Sequence, residues 1–461
     1  MTLIVKRWIR GTVLPALLIV CGAFIVVIYG LLSVLTLQFD YSNRQTASEN
    51  ALNIAEGGIN YYRWHLAHDP ADFTDGTGQA GPYEHAYYDP QGNKVGSYSL
   101  EIAPPENGSS IVTIKSTGWV DEFPNVKRTI EAQYGKPSLA KYSFLQNASS
   151  WYGSNITVNG QIHSNNGVRM DGINLSTVTS AKDTYVCGSE TGCNPAQNKP
   201  GVWGAGPNTG LWQFPIPAVD FASISFNFAQ MKDSATTNGL YLGPSGSRGY
   251  HIVFLNNGTF RLYRVTGTNY YNAYDVDDGC QRRYMRITSE SLLGTYNVAS
   301  EPIIFAEDHL WVEGTVRGRI TVVAARFPIE TNSMNIWINN NILYTTYNGT
   351  DILGLLAQKD IYFVRDVPTN FQIDAVLMAQ SGKIIRHGYL SSCGGTTGAV
   401  KNKLTINGSI ISYNKSYWNF GSGPTSGFIT REIIYDPHVL YAPPPYFPTS
   451  GDYEFISWKE E

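Results

Sequence analysis

Residues 11–39 contain no charged side chain, and three cations, Lys6, Arg7 and Arg10, stand directly before them. As a helix rising about 1.5 Å per residue, the mostly apolar residues 12–35 would reach about 36 Å, longer than a hydrocarbon core of about 30 Å. The pattern predicts a retained membrane span. A secretory signal peptide is the rival reading, but its apolar region usually runs about 7 to 15 residues and ends in a small-residue cleavage site, and neither fits here. The cations before the span and Asp40 after it place Met1 in the cytoplasm and the bulk of the chain outside.

Past the span the period changes. Ala51, Ala55, Ile59, Tyr62 and Leu66 recur at steps of three or four, which predicts an amphipathic helix continuing from lipid into water. Asp69-Pro70 stops it, and a Gly-rich loop follows to Pro82. Strand-like runs come next at Tyr87-Tyr88 and at residues 96–102, 110–120 and 126–134, with a turn at Pro90-Gln91-Gly92. They read as an antiparallel meander packed on the helix.

After Lys136-Pro137 short β-runs separated by Gly and Asn take over. Residues 158–162 (VNGQI), 312–316 (VEGTV) and 406–410 (INGSI) share the pattern β-branched, polar, Gly, polar, β-branched. A second pair, LLAQKDI from Leu355 and LMAQSGKI from Leu377, lies 22 positions apart, close to one solenoid turn. Strands with one small apolar face bury it by stacking, so a parallel β-helix (β-solenoid) is expected over about 138–181 and 301–413, with a β-sandwich as the alternative. Residues 182–300 break the rhythm and read as an inserted subdomain. Within it 221–232 is a short helix or an irregular connection, and 251–265 a hairpin around Asn256-Asn257-Gly258. The tail, 442–461, is rich in Pro and aromatics and reads as an extended strap. The fold class is mainly β with an N-terminal α+β part, organised as 1–39 tip and span, 40–137 helix continuation and meander, and 138–461 exported β domain.

A length of 461 residues calls for two or more domains, and a net charge of −4 without a basic stripe argues against a nucleic-acid partner. With 45 Gly, 30 Tyr, 10 Trp and only 15% charged residues, the makeup is that of an exported, turn-rich β protein. Of the five cysteines Cys21 falls inside the span. Cys187 and Cys193 close a short Gly-containing loop that suits a local disulfide, which leaves Cys280 with Cys393 by elimination.

The densest chemistry is Asp275, Asp277 and Asp278 before Gly279, with Arg282 and Arg283 after it. Alternating carboxylates suit calcium, the one cofactor these residue types suggest, although an EF-hand places its Gly one position later and needs a downstream Glu. A solvated turn neutralised by the arginines is the other reading. His163, Asp171 and Asp360 come nearest to acid/base groups, but without dyad spacing they read as polar groups at strand turns. No GxSxG, HExxH or Walker loop occurs, and no enzyme is expected. Tyr263, Tyr270, Tyr271, Tyr274 and Tyr284, near Arg261 and Arg264, suit either a sugar or protein surface or cross-strand packing.

The basic tip, Gly11, the apolar helix, ALNIAEGG at residues 51–58 and RTIEAQ at residues 128–133 together resemble the type IV pilin superfamily, nearest to its PilX-like minor-pilin branch, over about the first 135 residues. The Pro-aromatic tail is similar to that of PilX-like proteins with a large exported β domain. The resemblance implies a prepilin peptidase cut between Gly11 and Thr12. The fifth residue after Gly11 is Ala16, where major pilins carry a Glu that neutralises a neighbour's new amine; some minor pilin-like proteins lack it and sit at the filament tip. The implied protein is a non-enzymatic, single-pass membrane protein, a minor or tip subunit or assembly factor of a type IV pilus-like system. Its partners would be other pilin-like subunits through the helix, the membrane, and a surface glycan or protein ligand. A membrane-anchored polysaccharide-active enzyme on a β-helix and a static envelope scaffold are the alternatives.

Overall fold

The computed structural model describes residues 13–105, 109–421, 424–449 and 451–461. The chain divides into two compact units. One runs to Pro104 and adds Val112–Tyr134 and Phe455–Glu461, and the other holds Pro105–Ile111 and Gly135–Glu454.

In the first unit a single helix, α1 (Val13–His68), runs unbroken for 56 residues, about 84 Å at 1.5 Å per residue. Its buried side begins only at Ala47 and continues through Ala51, Ile54, Ala55, Gly58, Ile59, Tyr62 and Leu66, as the three- and four-residue steps predict. The adjoining sheet consists of β1 (Tyr83–Tyr88), β2 (Lys94–Ala103), β3 (Ile111–Val120), β4 (Lys127–Gly135) and the C-terminal strand Glu454–Glu460, in that order. β1 with β2 and β2 with β3 pair antiparallel. Val112, Ile114 and Ser116 of β3, and Ile130, Ala132 and Tyr134 of β4, are buried at alternate positions, so one face of the sheet is core. Small residues set the spacing: a Cβ on Gly118 would lie 2.3 Å from the Ala51 carbonyl oxygen.

The tail departs from the expected strap. Only its proline run is strap-like, held where Arg319 Nη2 donates to the Ala442 and Pro443 carbonyls at 2.6 and 2.5 Å. The last strand, Glu454–Glu460, instead completes the sheet of the first unit.

In the second unit strands pair chiefly in parallel, within one sheet of 20 strands. One ladder runs from Leu240–Leu242 through Ile303–Ala306, Arg319–Ala324, Ile352–Ala357, Asn370–Ala379 and Val400–Ser412. It continues with strands from earlier in the chain, Phe144–Gln146, Ile162–Ser164, Val178–Ser180 and Trp212–Gln213. A second ladder joins Tyr250–Leu255, Leu310–Val316, Ile336–Tyr344, Ile361–Phe363 and Ile384–Ile385. A third joins Val400–Ser412, Gly427–Tyr435, Thr157–Asn159 and Ile173–Asn174.

The sequence repeats have physical counterparts. Leu355 lies opposite Leu377 and Ala357 opposite Ala379 in parallel register. The motif glycines Gly160, Gly314 and Gly408 take φ of 125°, 111° and 144°, a region that side-chain-bearing residues avoid. A Cβ on Gly408 would stand 2.1 Å from the Ala375 carbonyl oxygen of the adjacent strand. At Gly314 and Gly408 the repeat therefore marks places where neighbouring backbones crowd, and at Gly160 one where the Tyr435 and Ser143 side chains press in. Aromatic rings stack along the ladders, Trp311 on Trp337 at 4.8 Å and Phe363 on Trp418 at 6.1 Å.

Residues 182–300 do not stand apart as an insertion. Leu240–Leu242 and Tyr250–Leu255 open the first two ladders, and Val202–Trp203 pairs in parallel with Val168–Met170. Residues 214–239, which include the helix Ala222–Asn238, carry the chain from Trp212–Gln213 at one end of the first ladder to Leu240–Leu242 at the other. Its Phe228, Met231 and Ala235 pack with Phe305, Val323, Leu356 and Met378. The hairpin at Asn256-Asn257-Gly258 pairs Leu255 with Thr259, and its second strand, Thr259–Asp275, runs on into a long antiparallel ribbon with Gly279–Asn297.

Candidate functional site

Two features concentrate physical consequence: the apolar half of α1 in the first unit and the ribbon tip in the second. The most apolar 18-residue window of α1 has a mean hydropathy of 2.8 and is 0% buried. Phe24, Val26 and Leu31 are among its exposed side chains, and the free thiol of Cys21 is exposed beside them. A contiguous apolar surface of this extent needs lipid or other apolar helices around it. Burying each such side chain contributes about 1.5–3 kcal/mol. Gly11 and Thr12, the expected processing site, lie outside the described residues.

The ribbon turns at Asp275–Gly279, and its tip is fastened on several sides. Cys280 is joined to Cys393 with their Cα atoms 5.7 Å apart. Tyr274 and Gly388 exchange backbone hydrogen bonds of 2.8 and 2.9 Å. Lys383 Nζ donates to Asp275 Oδ1 and Asp277 Oδ2, both at 2.6 Å. Asp278 accepts from Arg283 at 3.1 Å. The space between the first two carboxylates is thus filled by an ammonium group. Among the described residues no group of three His, Cys, Asp or Glu side chains is arranged to hold a metal. The carboxylates nominated for calcium thus have cationic side-chain partners here.

Burial acts on each charge here and its partners decide the outcome. For Asp275 burial pushes the pKa up, but the Lys383 hydrogen bond and charge outweigh it and hold the carboxyl below its usual range. Burial likewise lowers Lys383, and the two carboxylates more than reverse that, so it stays charged. His387, with its Nε2 3.8 Å from Asp275 Oδ2, is pushed down to about 3, by burial first and then by the Arg283 charge. It is neutral and stacks on Tyr362 at 5.0 Å. Tyr362 OH donates to Asp360 Oδ2 at 2.7 Å, and Asp360 Oδ1 accepts the Lys383 backbone N–H at 2.9 Å. Burial raises the Asp360 carboxyl.

The other nominated groups are held locally. His163 shares hydrogen bonds of 3.0 Å with Thr179 and Asn165, and burial lowers its pKa. Asp171 accepts from Arg169 Nε and Trp151 Nε1, each at 2.8 Å. The ribbon tyrosines are half-buried. Tyr270 packs on Tyr284 at 4.5 Å, Tyr284 on Trp337 at 6.3 Å, Tyr274 on Phe420 at 5.9 Å and Tyr263 on His251 at 5.8 Å. Tyr271 lies under the Arg365 guanidinium at 5.0 Å. Their faces meet protein, which is the cross-strand packing reading. Cys187 is joined to Cys193, Cα atoms 5.6 Å apart. Lys383 and His387, central to the tip, carry no local sequence signal, since their partners lie about a hundred residues away.

No family model matches the chain, and no curated protein matches it. Among solved structures, the crystal structure of the competence-associated pilin ComZ from Thermus thermophilus aligns with 90% of this chain and 98% of that one, at 13% identity and a TM-score of 0.29.

Proposed function

We propose that this chain is a pilin-like, membrane-anchored surface protein without enzymatic activity, a minor or tip subunit or assembly factor of a type IV pilus-like system. One observation carries the reading. α1 is one continuous helix whose apolar first half is exposed and whose buried face starts only at Ala47. Such a helix joins lipid, or a bundle of sister helices, to a folded head without a hinge. Other pilin-like subunits are its partners along that apolar half, and Ala16 in place of a Glu fits a tip position.

The parallel ladders are rungs of a β-solenoid in this reading, supported by the in-register partners Leu355 and Leu377 and by the crowded glycines. A sandwich pairs its strands antiparallel. The second unit then serves as an outward display surface, adhesive toward a glycan or protein. The carboxylates of the ribbon tip are structural because Lys383 and Arg283 already neutralise them.

Mass spectrometry of the mature N-terminus tests the reading. A chain beginning at Thr12, N-methylated, is the expected result. An intact Met1 on protein that remains wholly in the membrane would favour a static envelope scaffold and overturn the subunit role.

A further inference from the structure

Trp151 is 41% exposed, yet its ring is fixed. Its Nε1 donates to Asp171 Oδ2 at 2.8 Å, and the Arg169 guanidinium lies 4.3 Å from its ring centre. Arg169 also lies 4.9 Å from the Trp203 ring and is held by the same Asp171 at 2.8 Å. Beside this platform opens a cleft of about 190 Å³ walled by Trp151, Tyr152, Tyr417 and Trp418, with Lys415 and Arg431 in its lining. Among the described residues no Asp or Glu lines it.

The polar groups of the cleft are incompletely satisfied. Lys415 Nζ donates to the Glu190 carbonyl oxygen. Burial brings its amine down to about 8, with the nearby Glu190 carboxylate opposing. Arg431 gives one hydrogen bond to Asn155 Oδ1 at 2.9 Å, while its buried Nε lacks an acceptor. Gln146 Oε1, also in the lining, is buried without a donor. Buried polar atoms left unmatched in this way cost stability unless something else pairs with them.

We propose that this cleft binds a carboxylate-bearing pyranose, the terminal unit of an acidic glycan, with the C–H face of the ring on Trp151 and the carboxylate directed at Lys415 and Arg431. Cations alone would accept any small anion, and aromatic walls alone any apolar ring. Together, in a space of about 190 Å³, they select a single ring that carries a charge. Two cations are too few for a phosphate backbone, which is recognised by clusters of them. The site rests on the reading that the second unit is displayed outside the membrane. Binding in micelles is independent of N-terminal processing, so failure of one does not entail failure of the other.

The test is calorimetry or saturation-transfer NMR on the full chain in detergent micelles, with methyl glucuronide, methyl glucoside, acetate and inorganic phosphate as probes. Methyl glucuronide should bind at least about tenfold more tightly than the other three. Lys415→Gln and Trp151→Ala should each weaken it about tenfold or more, and Lys403→Gln, at an exposed pair with Glu432, should leave it unchanged. Arg431→Gln should weaken it as well, and should that variant not fold, the Lys415 and Trp151 variants still decide. Equal binding of the glucoside, equal binding of acetate or phosphate, or no effect of Lys415→Gln would each overturn the proposal.

Discussion

Replacing Lys383 with Met isolates what a buried charge does at the ribbon tip. Its ammonium touches two carboxylates at the same distance, 2.6 Å, but the Asp275 side chain is 2% exposed and that of Asp277 is 69% exposed. Water screens the second contact, and an exposed pair contributes about 0–1 kcal/mol. Asp275 is different: stripping one partner from a buried pair costs about 3–5 kcal/mol, because the surviving charge stays dry. Its remaining help is the Asp277 backbone N–H at 2.9 Å, the Tyr417 hydroxyl and a neutral His387, and none of them replaces a cation. Lys383→Met should therefore cost about 3–5 kcal/mol, and Asp277→Asn under about 1 kcal/mol. The double variant Asp275→Asn with Lys383→Met removes both charges and should recover most of the loss. A global unfolding midpoint would mix the units of this chain. Amide exchange at Tyr274 and Gly388, which bond each other's carbonyls, reads the tip locally. With the Cys280–Cys393 bond intact, exchange there should accelerate about a hundredfold or more in Lys383→Met, since about 1.4 kcal/mol is tenfold. If Lys383→Met and Asp277→Asn behave alike, or the double variant is no better than the single, the burial argument fails.

Three further expectations concern the response of the tip to pH, the seat of α1 and its apolar half. His387 sits at about 3 in the folded chain against about 6.5 when unfolded, so the unfolded state binds the extra proton and stability should fall as pH drops from about 6.5 toward 3. The lowered Asp275 supplies stability that is present above about 3.9 and lost as pH falls through its folded value. His387→Leu should flatten the slope of stability between about pH 6 and 4 in exchange measurements, and an unchanged slope would count against this account. Gly118→Ala places a Cβ 2.3 Å from the Ala51 carbonyl oxygen and 2.5 Å from the Ala55 nitrogen. Overpacking of this kind costs about 1–3 kcal/mol, seen as lost amide protection in α1 beyond Ala47; full protection would mean that the helix seat tolerates the methyl. Val26→Asp puts a carboxylate in the apolar half of α1 at about 2.5–3.5 kcal/mol, and a carbonate-resistant membrane fraction equal to the parent's would refute the span.

Helical periodicity is easy to read because burial in α1 repeats every three or four residues in one continuous element, so Ala51, Ala55, Ile59, Tyr62 and Leu66 announce the seated face directly. The glycine of the β-branched repeat is also legible, and for a physical reason: only a residue without Cβ tolerates the positive φ and the close neighbour backbone at Gly314 and Gly408. The charged tip is not. Asp275, Asp277 and Asp278 look like metal ligands when read in isolation, because the group that neutralises two of them, Lys383, is supplied from 106 to 108 residues away. Short-range patterns show where charges cluster and leave out what the fold brings to meet them.

The broken rhythm of residues 182–300 has a deeper cause. Alternation of apolar and polar residues reports that a strand has one buried face, but any strand with a matching face satisfies it. The chain exploits this: Phe144–Gln146 pairs on one side with Ile162–Ser164, near it in sequence, and on the other with Ile410–Ser412, far from it, and the first ladder is therefore not in chain order. Once that junction exists, the polypeptide leaving Trp212–Gln213 is at the wrong end of the ladder to continue it. It must travel the ladder's length before starting Leu240–Leu242, and residues 214–239 make that journey, the helix Ala222–Asn238 covering the later part of it with Phe228, Met231 and Ala235 buried in the core it shares with those strands. Within residues 182–300, the loss of β rhythm over 214–239 is the return path demanded by one long-range pairing, and a return path of this kind can shed its β pattern while remaining part of the core.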